Sequence, residues 1–370
     1  MLSGVSHAQD SRDIRVLILD DVPSVAVSVE GRYRIADSAH KTTLYAASNL
    51  MAKFTGSSGA IIFSGKNFTP RRISIIPETG RTVSVNSKHY KGSLQVIRKN
   101  SGRLAVVNCL DLEDYVKGIA VRETSHYWPM EALKAQAVVF RTFALYRRNE
   151  SGTRDFDVTA DVFSQGYGGQ AAERYRISDA VDQTRGEVLF YDGKILPAFY
   201  HSTCAGHTED ASKLWDINIR PLKGVACGFC KESPHFHWKA VIPKDMIRQA
   251  WNKKQPGMKE VRGVSVRARN ASGRAATLLI KTEDQSLVIA AKDFRHLIGQ
   301  DVLRSTDFKV SARGNDLVFE GKGWGHGAGL CQWGAYFKAK KGSDYTEILS
   351  YYYPSSSLHK IASTDETFRF

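Results

Sequence analysis

The chain has no apolar run approaching the ~20 residues that a membrane-spanning helix needs, so no stretch reads as a transmembrane span. It has no internal repeat and no long low-complexity linker. It also lacks a dense Lys/Arg block and any known nucleic-acid module, which sets nucleic acid aside as a partner. Yet Lys and Arg outnumber Asp and Glu by 52 to 38, a net charge of +14. That balance suits an anionic partner, either a membrane surface or a cell-wall polymer. The glycine-rich run Gly321–Gly329 lacks the strand-to-helix frame and acidic partner of a dinucleotide fingerprint.

What is present is an ordinary globular composition, 42% hydrophobic. A length of 370 residues can bury a large core, as one elaborate domain or two. Residues 1–10 are too short for a signal peptide, but Ser6-His7-Ala8 puts small residues where a signal peptidase prefers them. They read either as the tail of an export signal, placing the protein in the periplasm or cell envelope, or as a plain N-terminus.

Residues 11–110 read as strands. Ile14–Leu19, Val25–Val29, Ile73–Ile76, Ser93–Ile97 and Arg103–Leu110 are short, rich in Val and Ile, and separated by Gly, Pro and Asn. Residues 111–239 form a helical centre with a Cys/His loop. Residues 240–320 are strand-rich again, with Ala276–Lys281 and Leu287–Ala290, then a short helix near Lys292–Leu297. Val188–Tyr191 and Ile195–Phe199 flank Asp192-Gly193, a hairpin signal. A helix is expected over Cys331–Lys340. The fold class is α+β, with several antiparallel sheets packed around a small helical centre, and residues 11–370 are expected to form one domain.

Two helices with a short polar break are expected between Leu112 and Leu145. Leu112, Tyr115, Val116 and Ile119 recur at helical spacing behind an Asp111 cap. Pro129 suits a first helical position, and Leu133, Ala137, Phe140 and Ala144 mark the second buried stripe. Glu123 falls at the break, where the carbonyl ends of the first helix disfavour a negative charge. Tyr127 and Trp128 are expected to desolvate it further. A carboxyl whose pKa is pushed up keeps a proton for general-acid work near neutral pH; the alternative is a solvated helix-terminal Glu. Glu131, in a first turn, needs only a dipole-capping role.

Cys204, His207, Cys227 and Cys230 make Cys-x-x-His followed by Cys-x-x-Cys, two close pairs of the kind a closed tetrahedral zinc site uses. His201, His235 and His237 are alternative ligands, and a disulfide from Cys227 or Cys230 is the competing reading. Cys109, in an apolar strand, reads as core.

Taken in order, these motifs resemble the SpoIID/LytB family, the sporulation stage II protein D type of peptidoglycan-cleaving enzyme. The stretches are Leu112-Glu-Asp-Tyr115, Glu123, Trp128–Ala137, Arg141-Thr-Phe-Ala144, Asp161–Gly169, Thr184–Leu189, Tyr200–Glu209 and Gly323–Ala335. Thr124-Ser125 stands where the family usually has Met-Pro, Phe143 stands for Tyr, and Cys331 replaces a small residue and is expected to serve packing. The resemblance implies a lytic transglycosylase with Glu123 as acid and then base. Ordinary glycosidases need two carboxylates, and this region offers one; the 6-hydroxyl of N-acetylmuramic acid can supply the nucleophile instead. Ser164, Gln165, Tyr167, His201, Ser202, Trp324, His326 and Gln332 are the expected substrate-binding residues. His326 reads equally as a structural histidine, and His201 reads first as a strand-end histidine bonded to backbone. Some family members hold zinc near the corresponding loop. Relatives of the LytB type are enhancers of wall amidases, so a non-catalytic glycan-binding module with an amidase partner is the other reading. A zinc hydrolase is a third, and it needs an open metal position that cysteine-rich sites usually lack.

Overall fold

A computed structural model describes residues 13–37, 42–78, 82–160, 165–169 and 174–361. Residues 1–10 and Ser164 lie outside this set, so neither the export reading nor Ser164 can be placed.

The fold is α+β. The N-terminal part is an eleven-stranded, almost wholly antiparallel sheet. The strand Leu104–Asp111 sits inside it, between Asp13–Val22 and Ser93–Arg98. Its continuous apolar sequence is explained by burial on both faces. Leu104, Val106 and Leu110 join the main core, while Ala105, Val107 and Cys109 pack against Ile97 on the far side. Asn108 is the one polar side chain on the inner face of this strand. Its Nδ2 donates to the Lys91 and Ser93 carbonyls at 2.8 and 3.1 Å. The 14-residue strand Thr43–Gly56 was not foreseen: small and polar residues leave its outer half exposed, with no apolar alternation to read.

Helix α1 (Leu112–Glu123) leaves this strand directly, and the Asp111 carboxylate accepts from the Glu113 and Asp114 N–H groups. Helix α2 (Met130–Ser151) follows, with Pro129 one position earlier than expected, at its N-cap. Both expected stripes are buried. Helix α2, however, is covered on nearly every side. Ala132, Leu133, Ala137, Phe140 and Ala144 face the main core, and Ala135, Val138 and Val139 face a second one. Helix α3 (Tyr175–Gln183) packs on α1 and α2, and a buried ion pair binds the assembly. Arg141 on α2 donates from Nε and Nη2 to the two Glu113 oxygens at 2.9 and 2.7 Å, and from Nη1 to the Glu187 carbonyl at 3.0 Å.

Beyond α2, Glu187–Tyr191 pairs with Lys194–Ile195 and with Ser357–Lys360. The Asp192-Gly193 turn has the positive φ values of a tight hairpin. The expected strand Ile195–Phe199 stops after Ile195, because Pro197 lacks an N–H and the chain closes short turns at Ala198 and Phe199. Residues 237–322 form a strand-rich module with its own apolar core, containing α4 (Lys244–Asn252) and α5 (Ala291–Ile298). The chain then returns to the second core through the two-residue strand Leu330–Cys331, α6 (Gln332–Lys340) and α7 (Tyr345–Tyr352).

Candidate functional site: a carboxylate cleft beside a cysteine cluster

Glu123 is the last residue of α1 and lines a cleft of about 620 Å³. Its Oε1 accepts from the Gly166 N–H at 3.0 Å. A side chain at 166 would begin 3.3 Å from that oxygen, so glycine lets the backbone come in. Burial raises the Glu123 pKa; the Gly166 hydrogen bond and the nearby Arg122 charge oppose this without cancelling it. The groups around the carboxyl differ from those expected. Tyr127 is 82% exposed with its ring against His126, and Trp128 packs on Trp333 and Tyr336. The desolvating wall is instead Tyr115 and Tyr200, both buried phenols held well above their usual pKa by burial first; after burial come Tyr167 and then the Glu123 charge for Tyr115, and the Glu123 charge for Tyr200.

Gln165 and Tyr167 were expected in the substrate groove. Both are buried behind the carboxylate because their polar atoms have partners there. The Tyr115 hydroxyl donates to Gln165 Oε1 at 3.0 Å, and the Tyr167 hydroxyl donates to Asn108 Oδ1 at 2.8 Å. They anchor the loop that brings Gly166 to Glu123.

Three distant segments complete the cleft. Tyr200–His201 pairs in parallel with Leu330–Cys331, so His201, Ser202 and Gln332 meet at one edge. Gln332 opens α6, and its Nε2 donates to the Glu123 carbonyl and to Gln136 Oε1, both at 3.1 Å. His201 Nδ1 donates to the Ala328 carbonyl at 3.0 Å, and burial pushes its pKa well below the usual histidine value, so Nε2 is unprotonated, buried and unpartnered. His326 Nδ1 accepts from the Ala328 N–H at 3.1 Å, which likewise requires a neutral ring. Burial, then the Arg295 and Arg274 charges, push His326 down to about 3. Trp324 also lines the cleft, with Arg304 over its ring at 4.6 Å. The alternating glycines between them are required sterically: a side chain at Gly325 would meet the His201 Cβ at 2.7 Å, and one at Gly329 the Phe199 carbonyl at 1.9 Å.

The opposite wall escaped sequence reasoning. Phe143, Arg147, Phe199 and Trp215 line it, joined by Arg295, His296, Gln300 and Asp301 from α5 and the loop after it. Of these only Phe143 falls within a motif, and Arg295, His296, Gln300 and Asp301 are brought here by the return of the 237–322 module.

Four cysteines, all buried, lie behind the strand pair. The sulfurs of Cys204, Cys227, Cys230 and Cys331 are within 4.8 Å of one another. This grouping differs from the expected ligand set. His207, whose Nδ1 donates to the Thr208 carbonyl at 2.6 Å, is outside the cluster, and Cys331, expected to serve packing, stands in its place. No disulfide joins the cysteines, so the competing pairing is not adopted. A tetrahedral metal with sulfur ligands at ~2.3 Å sets them ~3.8 Å apart, which this cluster can meet. The Cys204 and Gly334 N–H groups donate to Cys331 Sγ at 3.2 and 3.3 Å, as outer partners of metal thiolates do. Four cysteines are therefore placed to hold a metal ion. Cys109 lies apart in the sheet, where burial raises its thiol to about 12.

Comparison with known proteins agrees with the geometry. Residues 100–191 match the model of the Stage II sporulation protein family, and residues 219–329 match a domain of unknown function. An uncharacterized protein of Brachyspira hyodysenteriae is 31% identical over 346 residues, 92% of this chain and 91% of that protein. The stage II sporulation protein D of Bacillus amyloliquefaciens is 29% identical, covering 77% of this chain and 87% of its own length. This chain belongs to the SpoIID/LytB family. A further relative, the amidase enhancer of Bacillus subtilis, is 28% identical over 288 residues, 66% of this chain but 40% of the enhancer. The Stage II sporulation match spans α1, α2, Glu123 and, on the far wall, Phe143 and Arg147, whereas Arg295, His296, Gln300 and Asp301 lie in the domain of unknown function. Among the described residues no helix is long and apolar enough to cross a membrane.

Proposed function

We propose that the chain is a peptidoglycan lytic transglycosylase of the cell envelope. It would cut the glycan between N-acetylmuramic acid and N-acetylglucosamine. The reading rests on one observation: the Glu123 carboxyl with a raised pKa, fixed by the Gly166 N–H at the end of α1 in an aromatic-walled cleft. Glu123 in its acid form gives its proton to the glycosidic oxygen, and the bond from that oxygen to the muramyl C1 breaks. The muramyl 6-hydroxyl then attacks C1 and returns its proton to the Glu123 carboxylate. A 1,6-anhydro sugar leaves, no water is consumed, and the acid form is restored. His201, Ser202, Trp324, His326 and Gln332 would hold the sugar; Gln165 and Tyr167 would hold the loop.

Zinc is the metal we assign to Cys204, Cys227, Cys230 and Cys331. A four-thiolate set fills a tetrahedral ion, so zinc would supply cross-linking and no open position. That argues against a zinc hydrolase. A glycan-binding enhancer of a wall amidase is the second reading, supported by the named relative. Mass spectrometry of glycan strands separates the two. The parent protein should add anhydro ends and Glu123→Gln should add none, whereas anhydro ends released by Glu123→Gln at the parent rate would remove Glu123 from the chemistry. A parent protein that cuts nothing but raises amidase activity would favour the enhancer.

A further inference from the structure

The cleft holds charge that this scheme leaves unused. Arg147 lies one turn of α2 beyond Phe143, and both line the cleft. Its Nε is shielded from water with no hydrogen-bond partner. Two other guanidiniums back the far wall, and both spend donors on carbonyls. Arg295 donates to Leu303 at 2.7 Å and Gln300 at 3.3 Å. Arg274, 1% exposed, donates from Nη2 to Cys204 at 2.7 Å, while its Nε and Nη1 have no partner. Buried positive charge without a paired anion is costly, and an anion in front of it relieves that cost. Beside these cations lies a ring platform. Trp215, 37% exposed, stacks on Phe199 at 4.2 Å, and Phe199 touches Phe143 at 5.9 Å.

We propose that Arg147 and the Phe199–Trp215 stack form an anion-reading sugar subsite, in which the rings take a hexose face and the guanidinium takes a carboxylate carried by the same strand. A planar fork of N–H donors suits a carboxylate, and an indole suits the apolar face of a pyranose. The proposal rests on the glycan reading and adds the residue that tells a muramyl-bearing strand from a neutral one. Two carboxylates have this chemistry, the lactyl ether on muramic acid and those of a stem peptide.

Calorimetry in the Glu123→Gln background reads binding without cutting. Three strands of equal length serve as probes: a neutral chito-oligosaccharide, a muramyl strand with free lactyl carboxylates, and a muramyl strand still bearing peptides. The Glu123→Gln protein should favour an anionic strand over the neutral one by about tenfold or more, the scale of one charge-assisted hydrogen bond. Adding Arg147→Gln should abolish that ratio and leave the neutral affinity unchanged. Arg147→Lys should keep part of it, which separates lost charge from lost fold. Preference for the free lactyl strand assigns that carboxylate, and preference confined to the peptide-bearing strand assigns the stem. A ratio that survives Arg147→Gln, or equal weakening of neutral and anionic strands, overturns the subsite. Binding of no strand at all overturns the glycan reading and the subsite with it, whereas neutral binding with no anionic preference overturns the subsite alone.

Discussion

At the scale of the residue, the raised pKa of Glu123 has a thermodynamic consequence. A carboxyl whose folded pKa lies above its unfolded value destabilises the fold once ionised, so stability falls as pH rises through the folded pKa. Glu123→Gln keeps the Gly166 contact and removes the buried charge. Melting curves should find the variant more stable than the parent at neutral pH. The gap should close as pH drops through the raised pKa and the parent carboxyl protonates. A gap independent of pH would mean that Glu123 is not strained by burial. The position of this residue was legible in sequence from the helix end and the surrounding motif. Its surroundings were not, because neighbours in sequence such as Tyr127 point away while Tyr200 and Gln165 arrive from elsewhere.

At the scale of the element, the Glu123 carboxyl is aimed by a stack of three parts: the inner strand with Asn108, the loop with Tyr167 and Gly166, and α1. Their fit depends on Gly118. A Cβ there would stand 2.6 Å from the Tyr167 ring, and Tyr167 is wedged between Tyr90 and Tyr115 with its hydroxyl on Asn108. Gly118→Ala should therefore cost about 1–3 kcal/mol from overpacking and displace the Gly166 N–H from the carboxylate. Losing that donor should raise the Glu123 pKa further, so the alkaline limb of the pH–rate profile should move up. An unshifted limb with reduced stability would confine Gly118 to packing. Strand and helix periodicities revealed most of these elements, and the stripes of α1 and α2 were buried as read. Periodicity could not reveal that α2 is enclosed by two cores, since its second face is made of the same small and branched residues that an exposed helix tolerates.

At the scale of the whole molecule, three cores meet around one cleft, and the cysteine cluster ties the meeting point. Cys204 and Cys331 lie 127 residues apart in the chain, a separation at which spacing rules for metal sites are silent. That is why His207 was the better reading from sequence and Cys331 the better one in space. Metal analysis discriminates between them. Cys331→Ser should bind zinc substoichiometrically and lose thermal stability, and the parent should lose the same stability in chelator and regain it with added zinc. His207→Ala should retain full metal. Zinc loss in the histidine variant alone would restore the original ligand set.

One bond has a consequence for the timing of the protein's birth. Gln332 reaches back 209 residues to the Glu123 carbonyl. A ribosome that has already delivered the sheet and both central helices still holds a chain in which the Glu123 carbonyl lacks this donor. The Glu123 carbonyl thereby gains this donor only after residue 332 has emerged.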